Sequence, residues 1–230
     1  MQASTIKNDV NLYPGEEVFL SQSGQVIFYE KCHHPGQPLL VFIPGAFHNG
    51  RIGYGHPNSR QQDFLAYWAE KRGYNFVSFS YPIETSNNFF SEVQPDFGIQ
   101  LFAELISEVV PCVIEEHKAG NDILIAAWSM AGSMATRLNQ AFLSKNLNIK
   151  LFISLAATPP IPGLTLGSYD EVVDLFSQEG TLTDNNLLSP KVLKSRHFWE
   201  QVDEINHMYP HDVISEDIYH SEYVGNTPMN

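Results

Sequence analysis

The chain has 230 residues, enough for one well-buried domain, and no Pro/Gly/Ser-rich linker divides it into parts that could each hold a core. Its 13 Lys and Arg stand against 26 Asp and Glu, and a formal net charge of -13 repels nucleic-acid phosphates and anionic lipid headgroups alike. Two cysteines, Cys32 and Cys112, are too few and too far apart for a disulfide scaffold or a zinc site, and with neither an apolar leader in residues 1–10 nor a run of about 18 apolar residues, a cytosolic location is expected.

Strands are expected at residues 17–20, 25–30 and 39–43. The first two suit a hairpin, and the third is apolar throughout and ends abruptly in Pro44-Gly45. Residues 63–71 place Phe64, Leu65, Trp68 and Ala69 on one helical face, and residues 74–80 alternate as a strand. An amphipathic helix over 97–118 leads into a strand at 123–126, a helix over 130–145 and an apolar strand at 150–156. Strand alternating with helix in this way predicts a doubly wound, mostly parallel sheet. Beyond Pro159-Pro160 the pattern changes to helix-like pieces at 168–178 and 191–206, with a polar and aromatic tail from 209 that suits an irregular segment or a short edge strand.

The richest segment is 122–132, DILIAAWSMAG, where an apolar strand runs into a turn of small residues with Ser129 at its apex and a helix behind it. A sharp turn of this kind exposes the hydroxyl and brings the next amide, that of Met130, toward an oxyanion forming on a substrate carbonyl. The usual pattern has glycine two residues either side of the serine because the turn is crowded. Here Ala127 and Ala131 occupy those positions, and Gly132 follows at once. A second oxyanion donor is expected in the loop after the third strand, residues 44–50, with Ala46 first and Phe47 second. His48 lies in the same loop. Cys32-His33-His34 reads as a surface turn, while Glu84, Tyr54 and His56 are candidates for the rim of a pocket.

These residues resemble the α/β-hydrolase fold, and within it the type II thioesterases of polyketide and nonribosomal peptide synthesis. Val41-Phe-Ile-Pro-Gly-Ala-Phe47 with Phe64 and Trp68 is similar to that family's oxyanion loop and following helix, and Ala127-Trp-Ser-Met-Ala-Gly132 to its elbow. Residues 180–184 and 188–193, then Asp212, Tyr219 and Tyr223, are similar in spacing to its helical lid. The resemblance implies a hydrolase core over 1–163 and a lid-like segment of the same domain over 164–230. It also implies that Ser129 cleaves acyl thioesters with Met130 and Ala46 as oxyanion donors, without metal or organic cofactor. Its implied partner is an acyl carrier protein, for whose anionic arm Lys191, Lys194 and Arg196 offer a basic spot.

In the family the catalytic acid and histidine follow two further core strands, whereas this sequence stops at Thr227-Pro-Met-Asn230, near where the next strand should begin. A chain truncated before its last core strands is therefore expected. The rival arrangement draws a triad from the tail, using Asp203, Asp212 or Asp217 with His207, His211 or His220. Histidines in an acidic surface segment are more commonly solvated, and no core strand fixes these ones. By triad order His48 is not the base. Two other functions stay open: a catalytically inactive hydrolase-like domain that binds an acyl group or a protein, and a carboxylesterase.

Overall fold

The computed structural model describes residues 10–90, 94–161 and 197–227. Its six strands are β1 (Glu16–Leu20), β2 (Gln25–Lys31), β3 (Leu39–Ile43), β4 (Asn75–Ser80), β5 (Ile123–Trp128) and β6 (Ile149–Leu155). They form one sheet in the order β1-β2-β4-β3-β5-β6. β2 is antiparallel to both β1 and β4, whereas β3 pairs parallel with β4 and β5, and β5 parallel with β6. The expected hairpin and doubly wound sheet are both present.

Helices α1 (Leu65–Lys71), α2 (Ile99–His117), α3 (Ala135–Ser144) and α4 (His197–Met208) are the longer ones among the described residues. Alternate strand residues feed two cores. Val41, Ile43, Val77, Phe79, Ile125 and Ala127 pack with residues of α2 and α3, such as Leu105, Val109 and Leu138. Their neighbours Phe42, Phe76 and Ala126 pack with Ala66 and Ala69 of α1. Helices on both faces explain why the central strands read as continuous apolar runs.

Two expectations need correction. All six residues of β4 are buried, so the strand does not present one wet face, because it lies between β2 and β3 with a helix layer on each side. Trp68 does not share the buried face of α1: it is 51% exposed while Ala66 and Ala69 are buried, and its indole N–H donates to the Gln62 carbonyl at 2.8 Å. The helix begins only at Leu65 after an extended Phe64, which rotates the core-facing stripe onto the alanines.

The tail is neither irregular nor an edge strand. A short helix, Glu216–Ile218, passes into a π-helical turn, Tyr219–Tyr223, and two isolated bridges join His48 to Val224 and Glu84 to Asn226. The pieces expected at 168–178, the lid resemblance at 180–193, and Lys191, Lys194 and Arg196 lie outside the described residues.

Candidate active site

β5 delivers its chain at the C-terminal end of the sheet, where Ser129 takes φ 52° and opens a 3₁₀ turn, Ser129–Met134, that continues into α3. A left-handed backbone at a non-glycine residue costs on the order of 1–3 kcal/mol and persists only where its surroundings hold it. Here the Ser129 carbonyl accepts the Thr158 N–H at 2.8 Å, tying the turn to the segment after β6. A Cβ on Gly132 would stand 2.4 Å from the Thr158 carbonyl oxygen, so that backbone passes too close for a larger residue. Ala127 and Ala131 are 0% and 1% exposed, which shows that methyl groups fit where the usual pattern has glycine.

The loop after β3 meets this turn. A Cβ placed on Gly45 would lie 2.8 Å from Ser129 Cβ and 3.3 Å from its Oγ, so Gly45 and the serine are packed face to face. Tyr81, the first residue beyond β4, donates its hydroxyl to the Gly45 carbonyl at 3.0 Å. The next carbonyl, that of Ala46, is held by His48 Nδ1 at 2.8 Å. A carbonyl only accepts, so Nδ1 carries the proton and Nε2 accepts from the Tyr219 hydroxyl, 2.7 Å away. Further along, Ser78 Oγ donates to the Gly50 carbonyl at 2.9 Å and the Gly50 N–H donates to Ser80 Oγ at 2.7 Å, anchoring the loop to β4.

A parallel sheet in this order, with an antiparallel β2 and a serine in the left-handed region between β5 and α3, defines the architecture. The chain has the α/β-hydrolase fold. Among solved structures it is similar to the thioesterase domain from the curacin biosynthetic pathway (15% identity, 89% of this chain and 62% of that one, TM-score 0.47). It is also similar to an N-acyl homoserine lactonase (14%, 64% and 46%, TM-score 0.44) and to an alpha-beta serine hydrolase homologue from Coxiella burnetii (15%, 66% and 66%, TM-score 0.41). The chain thus spans between 46% and 66% of the length of these structures. No protein-family model and no curated protein matches the sequence.

The tail closes over the same loop of this hydrolase fold. The Gly225 N–H donates to the Phe47 carbonyl at 3.0 Å and the Asn49 N–H to the Tyr223 carbonyl at 3.1 Å. Phe47, itself at φ 63°, packs with Phe64, Ile214, Tyr219, Tyr223 and Val224. Two of the expected rim residues serve this closure, His56 Nδ1 bonding the Tyr223 hydroxyl at 2.8 Å and Glu84 accepting from Asn226 Nδ2 at 2.5 Å, while Tyr54 donates to Glu16 of β1 at 2.5 Å. Pro44, Phe97, Ile99, Phe102, Met130 and Met134 line an apolar cleft of about 30 Å³ beside the turn.

The tail histidines have partners of their own. His207 bonds within its helix to the Asp203 carbonyl at 2.7 Å, and His211 pairs with Asp63 at 2.7 Å. His220 stands 3.8 Å from Glu216 with its ring beside Trp199. His33 and His34 contact Glu70, as the reading of a surface turn implies, and His117 pairs with Glu30. Among the described residues no cluster of three or more His, Cys, Asp or Glu has metal-holding geometry, and no helix is long and apolar enough to cross a membrane.

Burial pulls the His48 imidazole down from 6.5 to about 4, against the smaller opposing effect of the Ala46 carbonyl. Its ring is enclosed by Trp128, Phe198 and Tyr219, and folding keeps it neutral. The unfolded ring takes up a proton below about pH 6.5, so this contribution to stability is whole above that pH and fades as pH falls toward 4. It amounts to about 3 kcal/mol at most. Melting temperatures between pH 7.5 and 4 should fall less steeply in His48→Gln than in the wild type. Equal slopes would discard the buried neutral ring as a source of acid sensitivity.

Tyr81 is the site residue that sequence reasoning missed. Its signal was available in principle: it ends a strand that lies parallel beside β3, so it must face the loop leaving β3.

Proposed function

We propose that the chain is a serine hydrolase that takes an acyl group from a thioester or ester onto Ser129 and passes it to water. The left-handed Ser129 on its strand-to-helix turn carries this reading, since it holds the hydroxyl at the apex with Gly45 against its Cβ. A base takes the Oγ proton as Oγ bonds to the carbonyl carbon, and the tetrahedral oxyanion receives hydrogen bonds from the Met130 and Ala46 amides. Collapse breaks the bond to sulfur or oxygen, the leaving group takes the proton, and water repeats the sequence on the acyl-enzyme. The apolar cleft beside Met130, at about 30 Å³, has room for a methyl-sized group next to the serine. Under this reading an acyl carrier protein is one source of the thioester.

A second reading, an inactive hydrolase-like domain that binds an acyl group or a protein, is favoured by the engagement of described histidines elsewhere. His48 has both ring nitrogens occupied, and His207 and His211 are paired with aspartates. Intact-mass measurement with a fluorophosphonate probe separates the two. A single adduct mapping to the Ser129 peptide, absent in Ser129→Ala, is expected of the hydrolase. An unmodified mass after prolonged exposure would establish the binding domain instead. Comparing turnover of a matched thioester and oxygen ester then distinguishes thioesterase from carboxylesterase.

A further inference from the structure

We propose that Tyr81 is a positioning residue for the oxyanion hole, its hydroxyl fixing the Gly45–Ala46 peptide so that the Ala46 N–H faces the serine. The inference rests on Ser129 as the nucleophile. A trans peptide points its C=O and N–H in opposite directions. The Gly45 carbonyl is directed at Tyr81 by a 3.0 Å hydrogen bond, so the Ala46 N–H of the same peptide is directed away from Tyr81. Ser129 lies on the side of Gly45 where a side chain would stand, in contact with that position.

Tyr81 is suited to hold this arrangement. It is 5% exposed, its ring meets Phe102 edge-on at 5.6 Å, and burial raises its pKa far above neutrality, so it stays a donor at every working pH. His48 holds the following carbonyl in the same manner, so two successive peptides are fixed by side chains. An oxyanion donor is effective only if it is oriented before charge develops.

Tyr81→Phe keeps the ring and its contact with Phe102 and removes only the hydroxyl. The rate of phosphonylation and kcat on a short-chain ester are both expected to fall about 10- to 100-fold, with KM within about twofold. A boronic acid, whose adduct is tetrahedral and anionic, should lose affinity by the same factor as kcat/KM. A merely structural role would lower the titratable fraction of serine and leave the rate per reactive serine unchanged, which would overturn the proposal. In the wild type, where folding of the variant is not at issue, the Ala46 amide proton should move downfield on phosphonylation; movement at Phe47 in its place would overturn it too. If the wild type reacts and Tyr81→Phe reacts equally fast, Tyr81 loses its role while Ser129 keeps its own. A wild type that takes no adduct removes both.

Discussion

Arg51→Met is expected to destabilise the chain by about 3–5 kcal/mol, as removal of one partner from a buried ion pair does. Arg51 is 0% exposed, although it sits in a glycine-rich loop. Its Nε and Nη2 bond both oxygens of Glu16 at 2.7 and 2.8 Å, Nη1 bonds Glu222 at 2.6 Å, and Nη2 also donates to the Asn11 carbonyl at 2.8 Å. The guanidinium plane lies 3.5 Å from the Tyr13 ring centroid and 4.1 Å from that of Phe89. Methionine fills similar volume and offers no donor, so it strands two carboxylates, one of them wholly buried. Urea denaturation at pH 7 measures the loss, and adding Glu16→Gln to the variant should recover part of it through coupling. A loss below about 1 kcal/mol would place the network with surface pairs, whose worth is of that size. Because Glu222 belongs to the tail turn and Glu16 to β1, the variant should also loosen the tail's hold on the loop after β3.

Gly45→Ala is expected to slow modification of Ser129 by about 100-fold or more, since displacements near 1 Å at a reacting group carry penalties of that order. The new methyl would meet Ser129 Cβ at 2.8 Å and the Trp128 carbonyl at 3.3 Å, distances at which something must move. The serine is already held at φ 52°, with its carbonyl tied to Thr158, so it has little freedom to yield. Loop and serine therefore part, and both the Ser129 Oγ and the Ala46 amide are displaced. Overpacking of this kind costs about 1–3 kcal/mol in stability, leaving a folded protein in which the rate can be read. A phosphonylation rate equal to that of the wild type would show that the Gly45 contact does not position the nucleophile.

What the sequence discloses follows the range of the interactions involved. β3 runs from Leu39 to Ile43 as its apolar pattern implies, and the turn at Ser129 could be read because strand, apex and helix are consecutive. Helix starts were less legible: Met130 opens a 3₁₀ turn and the α-helix begins only at Ala135. β4 appeared to alternate because Asn75, Ser78 and Ser80 are polar, yet all three are buried and bonded to loops that sequence cannot place beside them. The tail was least legible. Its defining pairs, Arg51 with Glu222 and His48 with Tyr219, each span 171 residues, and a lone arginine among glycines carries no local mark of burial.

That separation sets an order of events during synthesis. The sheet from β1 to β6 and the turn at Ser129 can assemble once about two thirds of the chain has emerged, for the sheet and the turn's bond to Thr158 lie within residues 16–158. The loop bearing Gly45, Ala46 and His48 receives much of its described covering from residues 198–227. Contacts of such long range close late, after the loop entropy between them has been lost. The turn at Ser129 is thus formed early, and the loop that faces it is covered by the tail late, so a nascent chain presents the serine before all of its surroundings are in place.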